Sequence, residues 1–218
     1  MIISRGRAYV FVHIPKTGGT SLATALEARA MKDDVLIGDT PKARRRKSRL
    51  AALTPRGRLW KHATLADIDG VLSPDDLSRM FTFTLVRNPW DRVVSYYFWL
   101  KDQQFDHPAV AFAKSLPYAR FLETPALQQS LRQSPARHYM LDATGAEQCS
   151  LYIRLEAFEQ DAAPLLAHLG FPVSLPHLNT SRRAEDYRTY YDSMTRQIVA
   201  DVCAEDIERF GYRFDPGK

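Results

Sequence analysis

HIPKTGGTS, residues 13–21, follows directly on the apolar run Ala8-Tyr9-Val10-Phe11-Val12. The run reads as a buried strand over residues 8–13, by its β-branched and aromatic content. TSLATALEARAM at 20–31 then reads as a helix, with Leu22, Ala25, Leu26 and Arg29 at helical spacing. A strand that feeds a helix through a loop with two glycines is a common way to hold an anion. The Walker A spacing G-x-x-x-x-G-K-[ST] is absent, because Lys16 precedes the glycines.

A second junction of the same kind lies further on. Ser73-Pro74-Asp75-Asp76 is a helix start, with an N-cap serine, proline at the first helical position and acids in the first turn. FTFTLV at 81–86 reads as a strand, and Asn88-Pro89 starts a helix on which Val94, Tyr97, Phe98 and Lys101 share a face. Residues 104–145 carry Pro108, Pro117, Pro125 and Pro135 and read as short helices with turns between them. SLYIRL at 150–155 is a third strand, 156–169 a helix stopped by Gly170, and about 193–210 a last helix stopped by Gly211. Residues 38–58, with a basic cluster and few apolar positions, read as an exposed, mobile loop. Strands alternating with helices predict an α/β fold: a P-loop-like parallel sheet flanked by helices on both faces. The chain reads as one domain, 1–218, in which loop 38–60 and a helical insertion at about 104–145 shape an acceptor site.

Bulk properties remove several classes. No apolar run approaches the roughly 18–20 residues of a membrane-spanning helix, and the N-terminus lacks an apolar h-region and cleavage site. Peripheral membrane contact stays open, as does the oligomeric state. Cys149 and Cys203 show no CxxC pattern, so no disulfide framework is indicated and a cytoplasmic location fits. The net charge of +5 points to an anionic ligand. Part of it is local: Lys42, Arg44, Arg45, Arg46, Lys47 and Arg49 crowd together, either to guide an acidic acceptor or as a solvated face. No nucleic-acid motif is present, and no cluster has metal-ligand spacing.

Each junction has the chemistry of an anion site. In Lys16-Thr17-Gly18-Gly19-Thr20-Ser21 the glycines let backbone N–H groups come close, and the helix dipole favours negative charge. Lys16 adds a point charge. In RNPWDRVVS, Arg87 lies at the carboxyl end of a strand, where open α/β sheets bind ligands. Ser95 comes eight residues later, about two helical turns, so a guanidinium and a hydroxyl can clamp a terminal phosphate. Two such sites suit a ligand with phosphates at both ends.

HIPKTGGTSL with TFTLVRNPWDRVVSYYFW resembles the 5′-phosphosulfate loop and 3′-phosphate motif of sulfotransferases. The likeness is to the branch holding heparan- and chondroitin-type carbohydrate sulfotransferases and their soluble bacterial relatives. RLEAF at 154–158, LPHLNTSRR at 175–183 and DIERFGYRF at 206–214 extend it over nearly the whole chain; 100–145 carries no matching motif. The resemblance implies sulfuryl transfer from 3′-phosphoadenosine 5′-phosphosulfate (PAPS), with adenosine 3′,5′-bisphosphate as product and no metal. It implies that Lys16 stabilises the leaving oxygen, that Thr17, Gly18, Gly19, Thr20 and Ser21 hold the 5′-phosphosulfate, and that Arg87 and Ser95 hold the 3′-phosphate. Asn179, Thr180, Ser181 and Arg183 are expected to close over the nucleotide. The acceptor is a hydroxyl, of a saccharide or glycolipid by branch resemblance.

An acceptor hydroxyl needs a base near neutral pH, and histidine is the usual one. His62 lies between the two signatures, the interval in which this branch carries its catalytic histidine or glutamate. His13 reads as a structural hydrogen-bonder, His177 as part of the nucleotide segment, and His107, His138 and His168 as exterior. Rival readings are a P-loop-like kinase using ATP and a non-catalytic polyanion-binding module. The misplaced lysine and the missing Walker B aspartate oppose the first; the second gives Lys16 and Ser95 no role.

Overall fold

Phe11, Val12, Phe83 and Leu85 are wholly buried, and they make the centre of a five-stranded sheet. The computed structural model describes residues 1–176 and 183–215. Its strands are β1 (Ile2–Ser4), β2 (Tyr9–Val12), β3 (Val35–Leu36), β4 (Phe81–Val86) and β5 (Leu151–Arg154), in the order β3-β1-β2-β4-β5. β2 and β5 both pair in parallel with β4, Val12 lying opposite Thr84 and Val86 opposite Arg154. The Thr84 hydroxyl donates to the Val12 carbonyl at 2.8 Å, so this buried polar group is satisfied.

The α/β reading holds, with one correction: the sheet is mixed. β1 runs antiparallel to both β2 and β3. Strands of three and two residues are too short to show a period in sequence; β1 exists because β2 offers it an edge, and β3 because β1 in turn does.

The helices are α1 (Gly19–Ala28), α2 (Pro41–Arg45), α3 (Pro74–Ser78), α4 (Pro89–Lys101), α5 (Pro108–Ser115) and α6 (Tyr118–Leu122). They continue with α7 (Pro125–Gln133), α8 (Ala136–Tyr139), α9 (Phe158–Asp161), α10 (Ala163–Leu169), α11 (Ser193–Val202) and α12 (Ala204–Phe210). The described residues form two compact units: 1–86 with 136–176, and 87–135 with 183–215.

The first unit holds the sheet. Its core joins Tyr9, Phe11, Leu26, Phe83, Ile153 and Leu165. Each such side chain, fully buried, contributes roughly 1.5–3 kcal/mol. α3 starts as expected: Ser73 and Asp76 form a reciprocal capping box, with Pro74 at the first helical position. The predicted helix over 156–169 is instead a 3₁₀ turn (Leu155–Ala157) followed by α9 and α10, the latter with proline in its first turn.

Residues 38–58 are not the open loop their composition suggests. Thr40 caps α2 by accepting from the Ala43 N–H, and its hydroxyl donates to Glu27 at 2.5 Å. Three cations of the basic cluster reach carbonyls at and beyond the end of α1. Lys42 donates to Glu27, Arg46 to Met31 at 2.8 Å, and Arg49 to Lys32 at 2.5 Å. Of these, the Glu27 carbonyl lies in the last turn of α1, where a cation favours the negative end of the helix dipole. Half of the cluster is therefore occupied in holding the fold.

The second unit is helical. Trp90, Val93, Val94, Tyr97 and Leu100 line the buried face of α4 and pack with Phe121 and Val199. Val94 and Tyr97 lie on the inner face as expected and Phe98 packs partly buried against it, whereas Lys101 is exposed and Leu100 is buried. Residues 104–145 do form short helices, α5 to α8. The last predicted helix breaks at Cys203 into α11 and α12, and left-handed Gly211 ends it as expected.

Candidate active site

The loop after β2 turns through two left-handed residues, Lys16 (φ 65°) and Gly18 (φ 85°). Left-handed residues in a short loop form N–H-lined concavities that receive anions. Lys16 pays a steric penalty for this shape that glycine would not. Between them, the buried Thr17 hydroxyl donates to the Ile14 carbonyl at 2.9 Å, closing the turn. α1 then begins at Gly19 with no side-chain cap and no acidic residue in its first turn. The Ser21 and Leu22 N–H groups donate to the Gly18 carbonyl at 3.0 and 3.3 Å, so the N–H groups of Gly19 and Thr20 lie ahead of the helix's own ladder, and the helix start suits a phosphate or sulfate.

Gly18 suits the left-handed φ of 85°, and a Cβ on Gly19 would meet the buried His13 imidazole at 2.1 Å. His13 follows β2, buried, with its ring directly against the start of α1. Gly19→Ala is therefore expected to displace His13, and to lower the melting temperature while weakening binding of adenosine 3′,5′-bisphosphate by tenfold or more. Calorimetry with unchanged affinity would show that the contact does not shape the loop.

His62 joins this arrangement. Its Nδ1 lies 2.7 Å from the His13 carbonyl. A carbonyl can only accept, so the proton sits on Nδ1 and the lone pair on Nε2. The two imidazoles meet edge-on at 4.7 Å, and the exposed Trp60 indole meets His62 at 5.1 Å. The backbone that carries His62 is pinned, with Gly57 donating to the Asp67 carbonyl at 2.9 Å and Asp67 capping Thr64. Burial, with Lys61 nearby, lowers the His62 pKa to about 4, so the ring is neutral at pH 7. Burial also holds His13 well below its usual value, and His62 adds to this.

The second signature lies in the other unit. Arg87 follows β4, and α4 starts with Asn88 as N-cap, its Oδ1 accepting from Trp90 N–H at 3.1 Å. Arg87 Nε and Nη2 donate to Asp91 Oδ2 at 2.8 and 2.6 Å. Arg183 Nη1 forms an ion pair with the other carboxylate oxygen at 2.6 Å. Ser95 is buried in the second turn of α4.

Two groupings of the expected residues emerge. Lys16, Thr17, Gly18, Gly19, Thr20, Ser21 and His62 belong to the first unit, tied together through His13. Arg87, Ser95 and Arg183 belong to the second, two of them sharing Asp91. Asn179, Thr180 and Ser181, with His177, lie outside the described residues. Asp91 and the packing role of His13 were missed in sequence. The Arg-x-x-x-Asp spacing is a detectable signal for the Arg87 partner, whereas nothing local announces the His13 contact. Among the described residues, no group of three or more His, Cys, Asp or Glu is placed to hold a metal ion. No helix among them is long and apolar enough to cross a membrane.

The profile of the sulfotransferase family matches residues 1–213. The chain belongs to the sulfotransferase family. Its fold is similar to that of mouse sulfotransferase SULT7A1, solved as a complex with PAP. The TM-score is 0.53 at 16% identity, covering 94% of this chain and 86% of that one. No curated protein matches the chain.

Proposed function

We propose that this sulfotransferase moves a sulfuryl group from PAPS to a hydroxyl of a saccharide or glycolipid acceptor by in-line displacement. The observation that carries the reading is the lock between His62 Nδ1 and the His13 carbonyl. It leaves Nε2 as a neutral proton acceptor, on the same scaffold that bears the Lys16 loop.

PAPS supplies a sulfuryl group already activated by its phosphate leaving group. Lys16 with the backbone and hydroxyls of Thr17 to Ser21 binds the 5′-phosphosulfate; the left-handed loop and the uncapped start of α1 fit that anion. Arg87 and Ser95, with Arg183, bind the 3′-phosphate. Asn179 and Ser181 belong to the same nucleotide segment. His62 Nε2 takes the acceptor proton as the acceptor oxygen bonds sulfur and the bond from sulfur to the 5′-phosphate oxygen breaks. Lys16 stabilises the charge that then collects on that oxygen. One catalytic domain, 1–218, is the proposed organisation, and the cytoplasm is the proposed location.

Thermal shift tests the donor. Adenosine 3′,5′-bisphosphate should raise the melting temperature more than ATP with magnesium, since a ligand stabilises in proportion to its affinity for the native state. The reverse order would overturn the donor assignment in favour of a kinase. Transfer of radiolabelled sulfate from PAPS onto a glycan panel tests the acceptor; labelling of phenols alone would remove the saccharide.

A further inference from the structure

Asp91 is used twice. Its Oδ2 takes two donors from Arg87, and its Oδ1 pairs with Arg183. All three side chains are largely buried, with 12–16% of their surface exposed. Arg87 and Arg183 come from distant parts of the sequence, so a carboxylate between them brings two like charges together, Arg87 held through two nitrogens and Arg183 paired through one. An acid in a helix's first turn also favours the dipole, but that role needs neither arginine.

We infer that Asp91 is the positioning residue of the 3′-phosphate clamp, and that it makes Arg183 the second guanidinium of that clamp. This rests on the donor assignment above. The ligand chemistry is a phosphate monoester dianion on a ribose. Two arginines and one aspartate leave one net positive charge for it, spread over two guanidinium groups. Asp91 touches neither the ligand nor the reacting atoms; it holds the groups that do.

Asp91→Asn separates this from a plain charge effect, because the two predict opposite signs. Removing a negative charge beside a phosphate should tighten binding by Coulomb's law. Losing the alignment of two forks should weaken it. Titration calorimetry with adenosine 3′,5′-bisphosphate and with adenosine 5′-monophosphate reads the difference. The expected result is a loss of about tenfold or more for the bisphosphate, the worth of one charge-assisted bond, with monophosphate affinity unchanged. KM for PAPS should rise with kcat unchanged, and Arg183→Ala should add little in the Asp91→Asn background. Should Asp91→Asn fail to fold, Asp91→Glu and Arg183→Ala are expected to show the same bisphosphate-selective loss. Equal or tighter bisphosphate binding by Asp91→Asn would overturn the inference. So would an equal loss on both nucleotides with a lowered melting temperature, which marks a merely structural role. A wild-type protein that fails to distinguish the two nucleotides would overturn the donor assignment itself, and this inference with it.

Discussion

Replacing Lys16 by alanine is expected to lower kcat by about 10²- to 10³-fold, the usual cost of one preorganised charge at a developing oxyanion. Sulfuryl transfer leaves its charge on the 5′-phosphate oxygen, and in the proposed mechanism the left-handed loop that carries Lys16 receives that anion. The backbone of Lys16 is left-handed, which costs a non-glycine residue roughly 1–2 kcal/mol. Lys16→Gly therefore serves as the control. It should raise the melting temperature while losing as much activity as Lys16→Ala, because the Nζ is lost and the strain relieved together. Activity and stability would then move in opposite directions, as expected for strain held at a functional site. Full activity in either variant, measured with radiolabelled donor, would remove Lys16 from the chemistry.

His62→Ala should cost about 10²- to 10⁴-fold in kcat, with adenosine 3′,5′-bisphosphate binding unchanged. The pH profile adds a second check. The His62 pKa is lowered by burial from 6.5 to about 4 in the free protein. The acid limb of kcat/KM should accordingly fall near pH 4, with the base active above it. Bound donor brings negative charge, which favours the imidazolium, so the acid limb of kcat should lie at higher pH than that of kcat/KM. Linkage has the same sign. A group whose pKa is depressed on folding lends stability above its unfolded value, and that stability declines as pH falls from 6.5 to about 4. Melting curves should show this decline in wild type and less of it in His62→Ala. An unchanged pH profile in His62→Ala would assign the base elsewhere.

Signals confined to one turn of chain were legible. The capping box at Ser73, the Asn88-Pro89 start of α4, the Gly211 stop and both strand-to-helix junctions use contacts within four residues. β2 and β4 were legible too, because strands buried on both faces read as near-continuous apolar runs. The candidate residues Lys16, Arg87 and His62 follow from such motifs and from family resemblance.

What the sequence could not carry is long-range. β1 and β3 are too short to pattern, and only pairing makes them strands. The cluster at 42–49 has the composition of a solvated loop, yet half of it caps carbonyls at and beyond the end of α1. A cation's partner depends on which carbonyls the fold brings within its reach, and composition does not encode that. The glycine at 19 was legible as a loop residue; that a histidine ring fills the space of its absent Cβ was not. Likewise Asp91 was legible as a helix-start acid, and only the return of the chain to Arg183 makes it a bridge. The sequence by itself determined the strand–loop–helix units and the residue types they present to an anion. The tertiary structure decided which side chains hold those units in shape, because contacts between distant residues exist only once the chain has closed on itself.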